Sequence, residues 1–258
     1  MFDSRLKIKS ARRIVLKAGT SILSSHKNSF LQAISQLGRG ILSLTYTKHE
    51  VVLVSSGAIA FGMQTLGLRK RPTELGKLQA CAAIGQGKLM HAYEDFFSKH
   101  GLHTAQILLT RDGLEVRKRF LNARHTMDHL FSLGILAIVN ENDTVATEEI
   151  AFGDNDLLSV WVAQLVEADL LIILSDVDGF YLKDGSRIRV VEGKQIEKLG
   201  SHLQDKRKEN TVGGMKAKLA AAQMAMQSRI PLLLVNGHDE KILEKIIQGE
   251  DVGTLFIG

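Results

Sequence analysis

The sequence predicts an α/β fold, a three-layer αβα sandwich around a mostly parallel open sheet, and three observations carry that expectation. Apolar runs recur at 51–54, 135–139 and 170–174, with the length and composition of strands buried on both faces. Each run ends in a turn of small, amide or acidic residues: Ser55-Ser56-Gly57-Ala58, Asn140-Glu141-Asn142-Asp143 and Ser175-Asp176-Val177-Asp178-Gly179. Helical stretches separate the runs, an alternation that builds parallel sheets covered on both sides. Ligands bind such sheets at the carboxyl ends of the strands.

The elements follow in order. A first strand at 12–17 runs into Lys17-Ala18-Gly19-Thr20-Ser21, and a helix occupies 28–48. The strand at 50–54 enters the Ser/Gly turn, which opens another helix. Residues 73–100 read as helix, with Thr73 at the start and Gly101 as the stop. A weakly alternating strand at 104–109 precedes a helix at 115–133 that is basic at first and ends at Gly134. Strand 135–139 leads to a loop or hairpin over 144–156, then a helix at 157–167 with Asp156 near its start. After strand 170–174, residues 180–210 read as irregular, polar, exposed and mobile. Gly213-Gly214-Met215-Lys216 opens a helix to 228. Pro231, strand 232–235, a helix at 239–247 and a strand at 253–257 complete the chain.

With 258 residues, 45% of them hydrophobic and 24% charged, and only 2 prolines, the chain reads as one globular domain over 1–258 without repeats or low-complexity linkers. The formal charge of +5 is modest and its basic residues are spread out, which argues against a nucleic-acid partner. The single cysteine, Cys81, excludes an internal disulfide framework and reads as a core residue of a helix. No apolar stretch is long enough to span a membrane, and the N-terminus has no signal-like apolar region. A cytoplasmic enzyme is the expectation.

Several clusters carry chemistry. Lys17-Ala18-Gly19-Thr20-Ser21 offers an ammonium, two hydroxyls and a flexible glycine, a set suited to phosphate oxygens, although it lacks Walker A spacing. Ser56, Gly57 and Ala58 form a donor-rich turn for an anionic group; a plain serine N-cap is the alternative. The Gly-x-Ser-x-Gly elbow of a serine hydrolase is missing. Asn140-Glu141-Asn142-Asp143 and Gly153-Asp154-Asn155-Asp156 make a patch dense in amides and carboxylates. Such carboxylates repel unless a cation lies between them; an amino acid supplies an ammonium for them and a carboxylate for the donors. Gly213-Gly214 opens a helix whose N–H groups suit a phosphate, with Lys218 one turn in and Lys216 its competitor. The nine histidines show no metal-binding spacing.

Taken together, these motifs, with Arg119-Phe120-Leu121-Asn122-Ala123-Arg124 and Val252-Gly253-Thr254, resemble the amino acid kinase family over nearly the whole chain. The Asn-Glu-Asn-Asp and Gly-Asp-Asn-Asp pair resembles its glutamate-phosphorylating branch. The resemblance implies transfer of the ATP γ-phosphoryl group to the γ-carboxylate of L-glutamate, the first step of proline synthesis, by direct attack. It implies ATP and Mg2+ as cofactors, the metal being carried by ATP with no direct protein ligand. Lys17 and Lys218 would flank the transferring group and Asp156 would orient them. Ser56, Gly57, Ala58, Asn140, Asp143, Asp154 and Asn155 would hold glutamate. Lys17, Gly19, Thr20, Ser175, Asp176, Val212, Gly213, Gly214, Met215, Lys216 and Lys218 would hold ATP. The glutamate-binding lobe would cover approximately 1–165 and the ATP-binding lobe 166–258. A homodimer or homotetramer and feedback inhibition by proline, with Arg117–Arg124 and the loop near Asn142 contributing, are family expectations. Two other readings stay open: a member acting on a different carboxylate or carbamate, and a non-catalytic proline- or nucleotide-sensing module. Departures from the family pattern are Ala151 where a basic residue is common, Ala18 for a commoner leucine, and no PUA domain after the kinase part.

Overall fold

The computed structural model describes residues 6–24, 29–146, 155–182, 184–193, 195–202 and 214–258. Their strands are β1 (Arg13–Ala18), β2 (Glu50–Ser55), β3 (Thr104–Leu109), β4 (Leu136–Glu141), β5 (Leu170–Ser175), β6 (Val190–Glu192), β7 (Leu232–Asn236) and β8 (Thr254–Ile257). They form one sheet in the order β3-β4-β2-β1-β5-β7-β8-β6. All neighbouring strands are parallel except β7 and β8. The helices are α1 (Leu6–Lys9), α2 (Thr20–Leu23), α3 (Phe30–Tyr46), α4 (Ala58–Thr65), α5 (Leu75–Ser98), α6 (Arg111–Glu115), α7 (Arg117–Ser132), α8 (Asn155–Leu165), α9 (Gln195–His202), α10 (Met215–Gln227) and α11 (Ile242–Gln248).

Strand alternation sorts the core into two layers. Ile14, Leu16, Leu53, Ile138, Ile172 and Leu233 face one side, where they pack with α3, α5 and α11 through residues such as Ile41, Leu89, Phe97 and Leu243. Val15, Val54, Val139, Ile173 and Leu234 face the other, against α7, α8 and α10 through Met127, Leu158, Val162 and Ala222. This is the expected αβα sandwich. The register also levels the strand ends: Ala18 pairs with both Ser55 and Leu174, and Ser175 with Asn236. The carboxyl ends of β2, β1, β5 and β7 therefore share one rim.

Four boundaries differ from expectation. Strand β4 continues through Asn140 and Glu141, because their ladder partners Leu108 and Leu109 extend β3 equally far. The helix expected over 115–133 begins earlier and breaks at Val116, whose extended backbone separates α6 from α7; Thr110 caps α6 by accepting from the Gly113 N–H at 3.2 Å. Helix α5 starts after Glu74, and no side chain caps it. The stretch at 180–210 is not uniformly irregular or exposed: β6 pairs with β8, and Phe180 and Val191 are buried. Three residues of strand are too few for periodicity to reveal; pairing with β8 defines them. Helix α3 has a capping box, with the Ser29 hydroxyl accepting from Gln32 N–H and the Gln32 carbonyl from Ser29 N–H.

Helix α4 hangs from the β2 turn and lies directly on α5. A Cβ on Gly62 would fall 1.9 Å from the Cys81 carbonyl oxygen, and one on Gly85 would fall 1.8 Å from that of Ala58. These are backbone atoms that cannot swing aside. The Gly85→Ala protein is expected to lose about 1–3 kcal/mol of stability in urea denaturation. Gly87→Ala on the same helix, whose Cβ would meet nothing within 4 Å, is expected to gain roughly 0.5–1 kcal/mol through helix propensity.

Candidate active site

The chemistry gathers at the levelled rim. Lys17 is the penultimate residue of β1, and alternation turns it towards the face covered by α8 and α10. There its ammonium meets the Asp156 carboxylate, Nζ to Oδ1, at 2.5 Å. Lys218, on the first turns of α10, reaches the other oxygen, Oδ2, at 3.1 Å. Asp156 has no solvent exposure, and both lysines are buried. Burial pushes the Asp156 carboxyl up, but the two ammonium charges and their hydrogen bonds outweigh it and hold it below its usual value of 3.8. The trio carries two positive charges and one negative.

Beside it, Asn155 turns over the rim towards the opposite face. Its Nδ2 lies 3.0 Å from the Ser55 carbonyl, 3.0 Å from Ser56 Oγ and 2.9 Å from Asn140 Oδ1. Three acceptors around one NH2 fix the amide orientation. Ser56 accepts from Asn155 and keeps its own O–H to donate; its N–H donates to the Ala18 carbonyl at 3.0 Å. Gly57, at φ +103°, is the N-cap of α4, so neither serine caps that helix. Ala58 is buried at its first position. Asp143 follows β4, and burial pushes its carboxyl up to about 6 against the opposing Arg71 guanidinium.

On the β5 side, Ser175 is buried and donates to Asp176 Oδ1 at 3.2 Å, while its carbonyl accepts from Gly237 N–H at 2.8 Å. Gly19 caps the short α2 next to Lys17: its Cβ, if present, would sit 3.3 Å from Lys17 Nζ. Thr20 is exposed beside it. Gly214 is the N-cap of α10, and Met215 is its first residue. Lys216 is exposed and, two residues from Lys218, points about 200° away around the helix, whereas Lys218 contacts Asp156. Asp154, Val212, Gly213 and Ala151 lie outside the described residues.

Two features escaped sequence reasoning. Helix α5 contributes Gln79, Gln86 and Tyr93, which the apolar pattern of a core helix conceals. Arg124, expected in the segment contributing to proline inhibition, donates to the Leu165 and Gln164 carbonyls at 2.9 and 3.3 Å and pairs with Glu167 at 2.6 Å. It thereby caps the far end of α8, the helix that carries Asp156.

A set of ammonium groups with an open glycine backbone suits phosphate oxygens. Among the described residues no group of three or more His, Cys, Asp or Glu could hold a metal ion. No helix among the described residues is long and apolar enough to cross a membrane.

An α/β sheet with a lysine-flanked, buried aspartate at its carboxyl rim is the frame of a phosphoryl-transfer enzyme, and residues 12–236 match the Amino acid kinase family. The chain belongs to that family. Its relatives narrow the class: it is 47% identical to the glutamate 5-kinase of Carboxydothermus hydrogenoformans over 96% of this chain and 68% of that one. It is 46% identical to the glutamate 5-kinase of Aromatoleum aromaticum, covering 98% and 70%. Among solved structures, the UMP kinase of Bacillus anthracis superposes with a TM-score of 0.63 at 18% identity, over 96% of both chains. The carbamate kinase of Giardia lamblia bound to AMP-PNP gives 0.65 at 16%, over 96% of this chain and 99% of that one. These two share the fold.

Replacing Asp156 by Asn leaves two buried ammonium groups without their counter-charge, and a stability loss of roughly 3–5 kcal/mol is expected by chemical denaturation. Because the Asp156 carboxyl is held low, its contribution is present above 3.8 and disappears as pH falls through the folded value. The native protein should therefore lose stability in that acid range more steeply than Asp156→Asn, as thermal melts across pH would record.

Proposed function

We propose that this protein transfers the γ-phosphoryl group of ATP to the γ-carboxylate of L-glutamate, giving L-glutamyl 5-phosphate, the first step of proline synthesis. The observation that carries the reading is the Asn155-Asp156 pair. One residue is fixed to the amide and hydroxyl groups of Asn140 and Ser56; the next is fixed to two ammonium groups. An amino-acid pocket and a phosphate pocket thus meet at one peptide bond. The relatives at 44–47% identity support glutamate as the acid.

ATP with Mg2+ supplies the transferable phosphoryl group. Lys17 and Lys218 hold positive charge where negative charge accumulates, and Asp156 keeps both ammonium groups in place. The acceptor carboxylate is ionised at neutral pH, with an ordinary pKa of about 4.3, so no side chain needs to act as a general base. Asn155 Oδ1 and the Asp143 carboxylate accept from the glutamate ammonium, Ser56 donates to a glutamate oxygen, and Asn140 and Asp154 support them. Gly57 and Ala58 shape the turn. Gly19, Thr20, Ser175, Asp176 and the 212–218 segment hold the nucleotide, with Lys216 at its outer edge. Within the single domain, residues to about 165 serve glutamate and those from 166 serve ATP. A cytoplasmic homodimer or homotetramer inhibited by proline completes the proposal.

With hydroxylamine trapping the acyl phosphate, Lys17→Ala and Lys218→Ala are each expected to lower kcat by about 100-fold or more; full turnover by either would refute its role. Ionising Asp143 as pH rises through about 6 costs folding stability, because its folded pKa lies above the usual value. A bound ammonium offsets that cost. KM for glutamate should accordingly fall as pH is raised through about 6, whereas Asp143→Asn should show a higher KM with no such step.

A further inference from the structure

Helix α5 bears a polar seam that the reaction chemistry does not use directly. Gln79, Gln86 and Tyr93 recur every seven residues, two helical turns, and so share one face. Each reaches a different segment of the rim. Gln79 Nε2 donates to the Ala146 carbonyl at 3.3 Å, at the far end of the loop that carries Asp143. Asn140 Nδ2 donates to Gln86 Oε1 at 2.8 Å. Tyr93 and Ser55 meet hydroxyl to hydroxyl at 2.8 Å. Because Ser55 spends its single proton on the Ser56 carbonyl, the Tyr93 O–H is the donor of that pair. Complete burial pushes the phenol well above its usual range, so it stays protonated for this task.

Gln86 has the largest consequence. An asparagine amide can be turned either way round, and the direction is set by its neighbours. Asn140 Nδ2 is claimed by the Gln86 carbonyl. Asn140 Oδ1 accepts from the Glu141 backbone N–H at 2.9 Å, which fixes its rotation, and from Asn155 Nδ2 at 2.9 Å. Asn155 Nδ2 in turn faces inwards, which directs Asn155 Oδ1 to the ligand. The Glu141 N–H and the Ser55 carbonyl, whose polarities cannot change, set the two rotations, and Gln86 adds the contact that holds Asn140 against α5.

We propose that Gln86 is a positioning residue for amino-acid recognition: it ties Asn140 to α5 and so holds in place the Asn155 amide, whose Oδ1 presents an acceptor to the substrate ammonium. The inference rests on the proposed glutamate kinase activity. Gln86 itself touches neither the lysine trio nor the substrate.

The test is steady-state kinetics of the full chain with glutamate and ATP varied separately, on Gln86→Met, which removes the acceptor at similar volume, and Gln86→Glu, which keeps one. For Q86M the KM for glutamate is expected to rise about ten-fold, the loss of one buried polar contact, with KM for ATP and kcat unchanged; Q86E should restore the native KM. An unchanged glutamate KM in Q86M overturns the proposal. So does a parallel change in kcat and both KM values, the mark of a merely structural role, and so does failure of Q86E to restore. If Q86M does not fold, Gln86→Asn, which withdraws the carbonyl by one methylene, carries the same expectation. Absence of glutamate-dependent ADP formation by the native chain would instead refute the activity and is read separately.

Discussion

Two ammonium groups share one carboxylate that has no contact with solvent, and the rest of the site is arranged around that fact. Burying three charges is unfavourable unless each is held at contact distance. The sheet makes this possible. Alternation along β1 turns Lys17 to the face covered by α8 and α10, and those helices start at the same rim with Asp156 and Lys218 in their first turns. In this low-dielectric setting the charges are strong and their positions are set before any ligand arrives, which is what phosphoryl transfer asks of a protein.

The Asn155-Asp156 dipeptide joins the two faces of the sheet. Asp156 belongs with the lysines on one side; Asn155 bonds to Ser55, Ser56 and Asn140 on the other, which α5 supports. The far end of α8 is anchored by Arg124, so the helix is tied at both ends. Helix α4 is held against α5 by close backbone approach at Gly62 and Gly85, which fixes the turn at Gly57. At 16–18% identity the UMP and carbamate kinases share the fold.

Much of this was legible in the sequence because local rules apply to it. Continuous apolar runs with no polar alternation mark strands buried on both faces, and β1, β2, β4, β5 and β7 fall within a residue or two of where those runs lie. Glycine and amide-rich turns mark their ends. Asn140 was placed in a turn and proved to be the last part of a strand, because the length of β4 depends on β3, a neighbour remote in sequence. β6 was missed for the same reason: its pairing with β8 supplies the burial that its own three residues do not announce.

The sequence by itself determined the alternation of strands and helices, the rim segments and the residue types able to hold phosphate and an amino acid, since each follows from spacing along a few consecutive residues. Only the tertiary structure decided which groups meet. It set Lys218 against Asp156, gave Arg124 to the end of α8, and recruited Gln79, Gln86 and Tyr93 from a helix whose pattern announces only a core. The reason is physical: a buried polar group must find its partner in three dimensions, and the chain separation of that partner, 62 residues for Lys218 and Asp156 and 54 for Gln86 and Asn140, carries no local signal.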